Sequence, residues 1–387
     1  MKKILRNTLF VVLYPFTPII RMIQNKMDFL RTYKLKLIIA KVLRIIRIFN
    51  RSAASVQFPD TVYPAASEAG NKEIVVIDHS YHYKTRSSAF FITLLQQLGS
   101  VRVVWDSQWN GGKSPAFNRM TGEPVDLLIL WQIMIYYDPQ KLKKLNCKNI
   151  IIIPMFDDIH ADPDKLFLGF GEFRFISFCR ELHRRFDQLG IRSAYFQYFI
   201  DPATLAYHED PFSELKGFFW QRTNDITWDH IRKLIEGSDF SSFHLHLALD
   251  PIWYREVLPT EEEMKKYRIT ITRWFDKKED YLSVLSQANV FFTPRLYEGI
   301  GMPVIEAMSQ GKLVVSPDHP TMNEYIVHGR NGLLYDAQDL KPLDFSQAGI
   351  MAARARADCN TGFKKWQEEK IKILKYLMNN PGLQSGG

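Results

Sequence analysis

Three cysteines in 387 residues, Cys147, Cys179 and Cys359, are too few and too far apart for a disulfide framework or a thiolate metal site. A reducing compartment is expected. No apolar run reaches the roughly 20 residues a membrane-spanning helix needs. Asn7 to Ile20 is apolar, but it covers only fourteen residues, and Pro15 and Pro18 interrupt it. No small-x-small cleavage site follows it, although its basic start and short apolar core leave a signal peptide open. Repeats and low-complexity tracts are also missing. The most local absence is of acid: residues 1–52 hold twelve Lys or Arg against one carboxylate, Asp28. That segment carries +11 of a chain whose net charge is +8, so the remaining 335 residues are slightly acidic. A basic isoelectric point therefore does not argue for nucleic acid, because the basicity belongs to one arm.

Within that arm, residues 34–51 place Leu35, Ile38, Ile39, Val42, Ile45, Ile46 and Phe49 on one helical face. Lys36, Lys41, Arg44, Arg47 and Arg51 fall on the opposite face. A cationic amphipathic helix of this kind lies in the interface of an anionic leaflet, apolar side down. Each basic residue near that surface adds about 1 kcal/mol. The expectation is a protein peripheral to the inner face of the cell membrane and facing the cytoplasm. Two competing readings stay open: a helix packed on the protein's own core, and a transit peptide.

Residues 53–72 are small, polar and proline-containing, and read as a linker. Beyond them apolar, β-branched runs alternate with helical patterns. The runs 73–78, 101–106, 125–132, 149–156, 173–179 and 193–199 read as strands, with helices over 88–99 and from Arg180 to Gly190. A second series has strands at 217–222, 243–249, 289–294, 312–318 and 331–336, and helices at 227–237 and 281–288. Such alternation gives parallel, doubly wound α/β sheets. The expected organisation is a first lobe over 73–210, a second over 211–345, and a C-terminal helix at 361–379 that returns to the first lobe.

The densest chemistry is in YEGIGMPVIEAMSQGK, Tyr297 to Lys312. A strand ends, a glycine-containing loop follows, and a helix begins at Pro303, a residue suited to a first helical position. Ligands of open α/β sheets bind at the carboxyl ends of strands. Glycines let the backbone approach a ligand, and free N–H groups at a helix start suit a diphosphate. Glu306, expected in the first helical turn, suits the vicinal hydroxyls of a ribose. Glu298, in the loop, suits a second polyol. A helix capped by its own Glu306 is the blander account of the same residues.

The segment 289–336 closely resembles the donor-binding lobe of retaining GT-B glycosyltransferases of the family 4 type. The shared features are the Glu298 and Glu306 pair with seven residues between, the trailing EAMSQGKLVVSP, and NEYIVHGRNGLLY. Over residues 73–288 only the strand and helix rhythm agrees. The resemblance implies two Rossmann-like lobes facing a cleft, with donor on the second lobe and acceptor on the first. It implies Glu306 on the ribose and Glu298 on the transferred sugar. Gly299, Ile300, Gly301 and Met302 form the loop around the donor, and no metal or other cofactor is needed. A nucleoside-diphosphate sugar then enters as co-substrate. The activity implied is retaining hexosyl transfer, front-face, with the leaving phosphate helping to deprotonate the acceptor.

The chain departs from that pattern in two places. The family sets an Arg and, five positions on, a Lys over the diphosphate. Arg222 matches the first, but position 227 is Thr, and Arg295 is the candidate substitute. The glycine-rich loop after the first strand is replaced by DHSYHYKTRSS, residues 78–88, where Ser87 or Ser88 suits a helix cap and Lys84 and Arg86 read as solvated. In FDDIHAD, Asp157, Asp158 or His160 is expected to meet the donor sugar or the acceptor. The basic arm points to a lipid-linked glycan acceptor, as in bacterial surface polysaccharide (lipopolysaccharide O-antigen) synthesis. A catalytically silent glycan-binding scaffold at the membrane and a nucleotide-sugar epimerase of the same fold remain alternatives.

Overall fold

The structure is a computed structural model. It describes residues 58–379 except 68, 111, 113–123, 148, 208, 250–253 and 276. The basic arm and the first residues of the expected linker lie outside the described residues. No helix among the described residues is long and apolar enough to cross a membrane. Two β-sheets organise the chain, and both fall within one compact unit.

The first sheet has seven strands, β1 (Thr61–Tyr63), β2 (Lys72–His79), β3 (Gly99–Asp106), β4 (Leu127–Trp131), β5 (Ile150–Ile153), β6 (Arg174–Ser177) and β7 (Ser193–Tyr195). Their order is β1-β3-β2-β4-β5-β6-β7. From β2 through β4, β5 and β6 to β7 every pairing is parallel, and β1 runs antiparallel to β3. β4 (LLILW) and β5 (IIII) are buried along their whole length. Unbroken apolar strands are what a parallel sheet covered on both faces requires. The second sheet has six strands, β8 (Leu215–Gln221), β9 (Phe240–Leu247), β10 (Ile269–Thr272), β11 (Val290–Phe292), β12 (Leu313–Pro317) and β13 (Leu333–Tyr335). Their order is β10-β9-β8-β11-β12-β13, all parallel.

Each sheet has its own core. Ile77, Leu130, Ile152, Phe175 and Phe186 anchor the first, and Phe219, Trp228, Phe243, Phe292 and Val315 the second. A single helix, Ala348–Met378, joins the two lobes. Its start packs Ala348, Met351 and Ala352 into the second core. Its last turn meets the first sheet: the Asn149 amide and the Arg174 guanidinium donate to its terminal carbonyls, and Tyr376 Oη donates to the Phe175 carbonyl at 3.0 Å. Gly362 is required midway, because a Cβ there would lie 2.4 Å from the Phe199 ring.

Four expectations need correction. The stretch read as a linker contains β1. The unassigned stretch before residue 281 contains β10 and a short helix, Glu261–Lys266. The C-terminal helix starts at Ala348, because its alanine-rich first turns are good helix formers that pack on the second core. The helix after the glycine loop, Met302–Ser309, starts one residue before Pro303, so Glu306 stands in its second turn.

What the topology fixes is position. The strand order reverses between β2 and β4 in one sheet and between β8 and β11 in the other. Such switch points open a crevice at the carboxyl ends of the strands.

Candidate active site at the two switch points

The expected site residues gather at these strand ends. On the second lobe, Arg222 follows β8, with its guanidinium 4.8 Å over the Trp220 ring. Arg295, Tyr297 and Glu298 follow β11. Glu298 is buried at 9% exposure, whereas Arg295 and Glu306 are partly exposed. Gly301 has φ +76°, a left-handed backbone that starts the helix and that glycine adopts without strain. The Glu306 charge reaches two phenols. Burial first, then its negative charge, pushes up the pKa of both Tyr198 and Tyr281.

From the first lobe the β5 end meets this loop directly. Asp157 accepts a hydrogen bond from Arg295 Nη1 at 3.2 Å. A Cβ on Gly299 would lie 2.9 Å from Met155 Cβ and 3.0 Å from Asp157 Oδ1. Glycine is therefore required where the two lobes touch. Desolvation raises the Asp157 pKa by more than Arg295 and Arg222 lower it. The His160 ring stacks on Tyr297 with centroids 4.1 Å apart, and its Nδ1 lies 3.2 Å from the carbonyls of Phe156 and Asp157. Tyr297 in turn meets His319 at 4.8 Å. Thus Asp157, His160, Arg222, Arg295, Glu298 and the loop Gly299, Ile300, Gly301 and Met302 come together, with Glu306 one turn behind.

Three readings of side chains change. Thr227, at the position of the missing Lys, caps the helix Trp228–Leu234: its backbone N–H donates to His230 Nδ1 at 3.3 Å and its hydroxyl lies 3.0 Å from the same atom. Ser88 precedes the helix Ala89–Leu95 without capping it, because its hydroxyl donates to Asp78 Oδ2 instead. Arg86 is not simply solvated, since its Nη1 donates to Tyr63 Oη at 3.0 Å.

Sequence reasoning missed the rest of the first-lobe cluster. Asp78, fully buried at the end of β2, accepts from His82 Nδ1 at 2.7 Å. Burial alone would lower the His82 pKa. The charge and hydrogen bond of Asp78 outweigh it, with Asp158 and Asp157 adding the same sign, and the net shift is upward. Its neighbour His79 is pushed down to about 3, by burial and then by His82. Gln132, just past β4, holds φ +60° and hydrogen-bonds the Asp158 side chain. Thr321, buried beside Gly301, holds φ +78°, a conformation that costs a β-branched residue about 1–3 kcal/mol. The i, i+4 spacing of Asp78 and His82 on the turn after a strand was the available signal. The two strained backbones leave none.

Residues 257–344 match the family of glycosyl transferases group 1. That span includes Arg295, Glu298, the glycine loop and Glu306. An 89-residue segment is 35% identical to alpha-maltose-1-phosphate synthase of Mycolicibacterium smegmatis, and spans 22% of this chain and 18% of that synthase. Among solved structures, sucrose-phosphate synthase from Thermosynechococcus elongatus aligns with TM-score 0.57 and 13% identity, over 79% of this chain and 98% of that one. HepE from Anabaena, solved with UDP and glucose, aligns with TM-score 0.52 and 14% identity, over 79% of this chain and all of the other. The chain has the GT-B fold. In GT-B terms the first sheet is the N-terminal lobe and the second the C-terminal lobe. The family match lies in the second.

Proposed function

We propose that this GT-B protein is a glycosyltransferase that moves a hexosyl group from a nucleoside-diphosphate sugar to an acceptor with retention of anomeric configuration. One observation carries the reading: two carboxylates, Glu298 and Glu306, flank a glycine loop at the second lobe's switch point, where two arginines also converge. Glu306 holds the ribose hydroxyls, with Tyr198 and Tyr281 as its walls. Glu298 holds the transferred sugar. Arg222 and Arg295 stabilise the charge that builds on the departing diphosphate, the largest demand of the step. Arg295 is paired with Asp157. Diphosphate binding draws it away, so donor entry and the interlobe contact are coupled. No metal takes part in this scheme.

The acceptor belongs to the N-terminal lobe. The basic arm supports a lipid-linked glycan at the inner face of the cell membrane, in bacterial surface polysaccharide synthesis. One observation favours a rival: Thr227 is committed to a cap and supplies no cation, which suits a lobe pair that binds nucleotide without turnover.

The test is release of nucleoside diphosphate from UDP-, GDP-, ADP- and dTDP-sugars, with and without polyprenyl-linked acceptors in anionic vesicles. Turnover of one donor, stimulated by the vesicle-held acceptor and lost with Glu298→Gln, is expected. Nucleotide binding with no turnover under any condition would establish the silent reading. Turnover of a donor into its epimer would establish an epimerase.

A further inference from the structure

The donor scheme uses the strand ends nearest the second lobe's switch point and leaves the far end of that sheet unused. The carboxyl ends of β12 and β13 enclose a surface cavity of about 530 Å³, a volume in the range of small-ligand sites. Asp318 and His319 line it from the turn after β12, Tyr335 and Asp336 from the end of β13, and His328 from the loop before β13. The Asp318 N–H donates to the Tyr335 carbonyl at 2.8 Å and ties the two strand ends together. Each carboxylate is anchored through one oxygen. Asp318 Oδ1 accepts from Asn323 Nδ2 at 2.9 Å, and Asp336 Oδ1 accepts from the Gln338 N–H at 2.8 Å. The second oxygen of each has no partner among the described residues.

These groups match one kind of ligand. An ionised carboxylate only accepts hydrogen bonds. His328 Nδ1 accepts from the Leu334 N–H at 3.0 Å, which leaves the ring proton on Nε2 as a donor. Burial lowers the His319 pKa by more than the charges of Asp318 and Asp336 raise it, and His160 adds to the lowering. That ring is therefore neutral at neutral pH, and it both donates and accepts. Hydroxyls that donate to the carboxylates and accept from the imidazoles satisfy the whole set, and the vicinal hydroxyls of a sugar supply them together. Two carboxylates repel a phosphate. An ammonium group satisfies the carboxylates but meets another donor at His328. Among the described residues no three His, Cys, Asp or Glu side chains are grouped to hold a metal ion. The cavity is also joined to the reaction centre. The His319 ring lies 4.8 Å from that of Tyr297, and Tyr297 stacks on His160 at 4.1 Å. Tyr297 directly precedes Glu298.

We propose that the cavity at the ends of β12 and β13 is a sugar subsite, and that it holds a second unit of the acceptor glycan. Its service to the acceptor rests on the glycosyltransferase reading above, whereas its affinity for a sugar does not. The reacting hydroxyl lies on the N-terminal lobe, at the His160 end of the ring stack. The neighbouring sugar crosses to the C-terminal lobe and places its hydroxyls on Asp318, Asp336 and His319. A single sugar engages the N-terminal lobe alone. The subsite therefore selects acceptors of two sugars or more.

The test uses the full chain and begins without turnover. Saturation-transfer NMR is run with glucose, galactose, mannose and N-acetylglucosamine as probes at millimolar concentration. The proteins are wild type, Glu298→Gln, and a double variant with Asp318→Asn and Asp336→Asn. At least one probe is expected to bind wild type and Glu298→Gln alike, and to weaken about 10-fold or more in the double variant, as the loss of a charged hydrogen bond requires. Both aspartates are exposed and Asn keeps the anchoring acceptor, so the double variant retains the fold; an unchanged melting temperature checks this. Kinetics then use the donor and the oligosaccharide acceptor of wild type, beside the methyl glycoside of that acceptor's terminal sugar. In the double variant KM for the oligosaccharide is expected to rise about 10-fold with kcat little changed, and the methyl glycoside is expected to behave as with wild type. No probe bound by wild type, or a probe lost in Glu298→Gln and kept in the double variant, would overturn the sugar site. Equal changes with both acceptors would overturn the acceptor role. Wild type that binds a probe through the two aspartates but turns over no donor would support the sugar site, and would overturn the acceptor role together with the glycosyltransferase reading.

Discussion

The two lobes are built alike and equipped differently. Each is a parallel sheet with a switch point, and each directs its strand ends at the other. The C-terminal lobe brings arginines, glycines and two spaced glutamates: Arg222, Arg295, Gly299, Gly301, Glu298 and Glu306. The N-terminal lobe brings packed carboxylates and imidazoles: Asp78, His82, Asp157, Asp158 and His160. Cations and backbone N–H groups suit a diphosphate. A carboxylate whose pKa is pushed up by burial to about 7, as that of Asp158 is, suits a proton. The family match, confined to 257–344, falls on the first of these sets. A ribose and a diphosphate pose the same problem in every nucleotide-sugar, whereas an acceptor does not, and a motif forms where the problem repeats.

The comparison is broken most severely at Glu298. Glu298→Gln is expected to lower kcat/KM by about 10- to 150-fold, since a charged hydrogen bond is worth about 1.5–3 kcal/mol and Glu298 is proposed to hold the transferred sugar. Steady-state rates on the identified donor check this. Gly299→Ala acts where the lobes touch. The new methyl must push Met155 or Asp157 aside, and about a 10-fold loss of kcat is expected from the displaced loop, within the range a misplacement near 1 Å produces.

Charge sharpens the comparison next. Arg295→Ala leaves the Asp157 carboxylate without its partner. Unfolding in urea at pH 8 is expected to show a loss of about 2 kcal/mol, and a smaller loss at pH 4, where Asp157 approaches its protonated form. Asp158 behaves in the opposite way. Its folded pKa is raised, so between about 4 and 7 the native state binds more protons than the unfolded state, and stability falls as pH rises through that window. Asp158→Asn is therefore expected to stabilise the protein at pH 8, by about 1 kcal/mol once its solvent-open position is allowed for, and to change little at pH 4. Last, Thr227→Lys gives up a helix cap, at a cost of about 1 kcal/mol. If Arg295 already serves the diphosphate, donor affinity in that variant changes by about 3-fold or less, measured by calorimetry.

The sequence disclosed unequal amounts of these two lobes. Both sheets were legible, because buried parallel strands leave unbroken apolar runs such as LLILW and IIII. The strand β1 was not: three residues in a proline-rich stretch have no periodicity, and only pairing with β3 defines them. The helix Glu261–Lys266 could have been found, since Thr260 and Glu263 form a capping box. β10, with its half-exposed ITIT, carries little apolar signal. At the site, Glu298 and Glu306 were readable from the glycine-rich string that contains them and its resemblance to a donor-binding lobe, but the turn that holds Glu306 was misplaced by the assumption that Pro303 comes first. Arg295 was readable as a candidate, but its partner Asp157 is 138 residues away and only folding brings the two together. Gln132 and Thr321 are ordinary letters in the sequence, and their positive φ angles are imposed by the tertiary structure.

The most direct measurement is thermal-shift binding of UDP, GDP, ADP, CMP and dTDP, with wild type and Glu306→Ala side by side. The expected result is stabilisation of wild type by one diphosphate and loss of that response in the variant, which fixes the donor class and assigns Glu306 to its ribose. A wild-type melting curve that none of the five moves at millimolar concentration, or a response that survives unchanged in Glu306→Ala, would contradict the placement of a nucleotide-sugar on the C-terminal lobe.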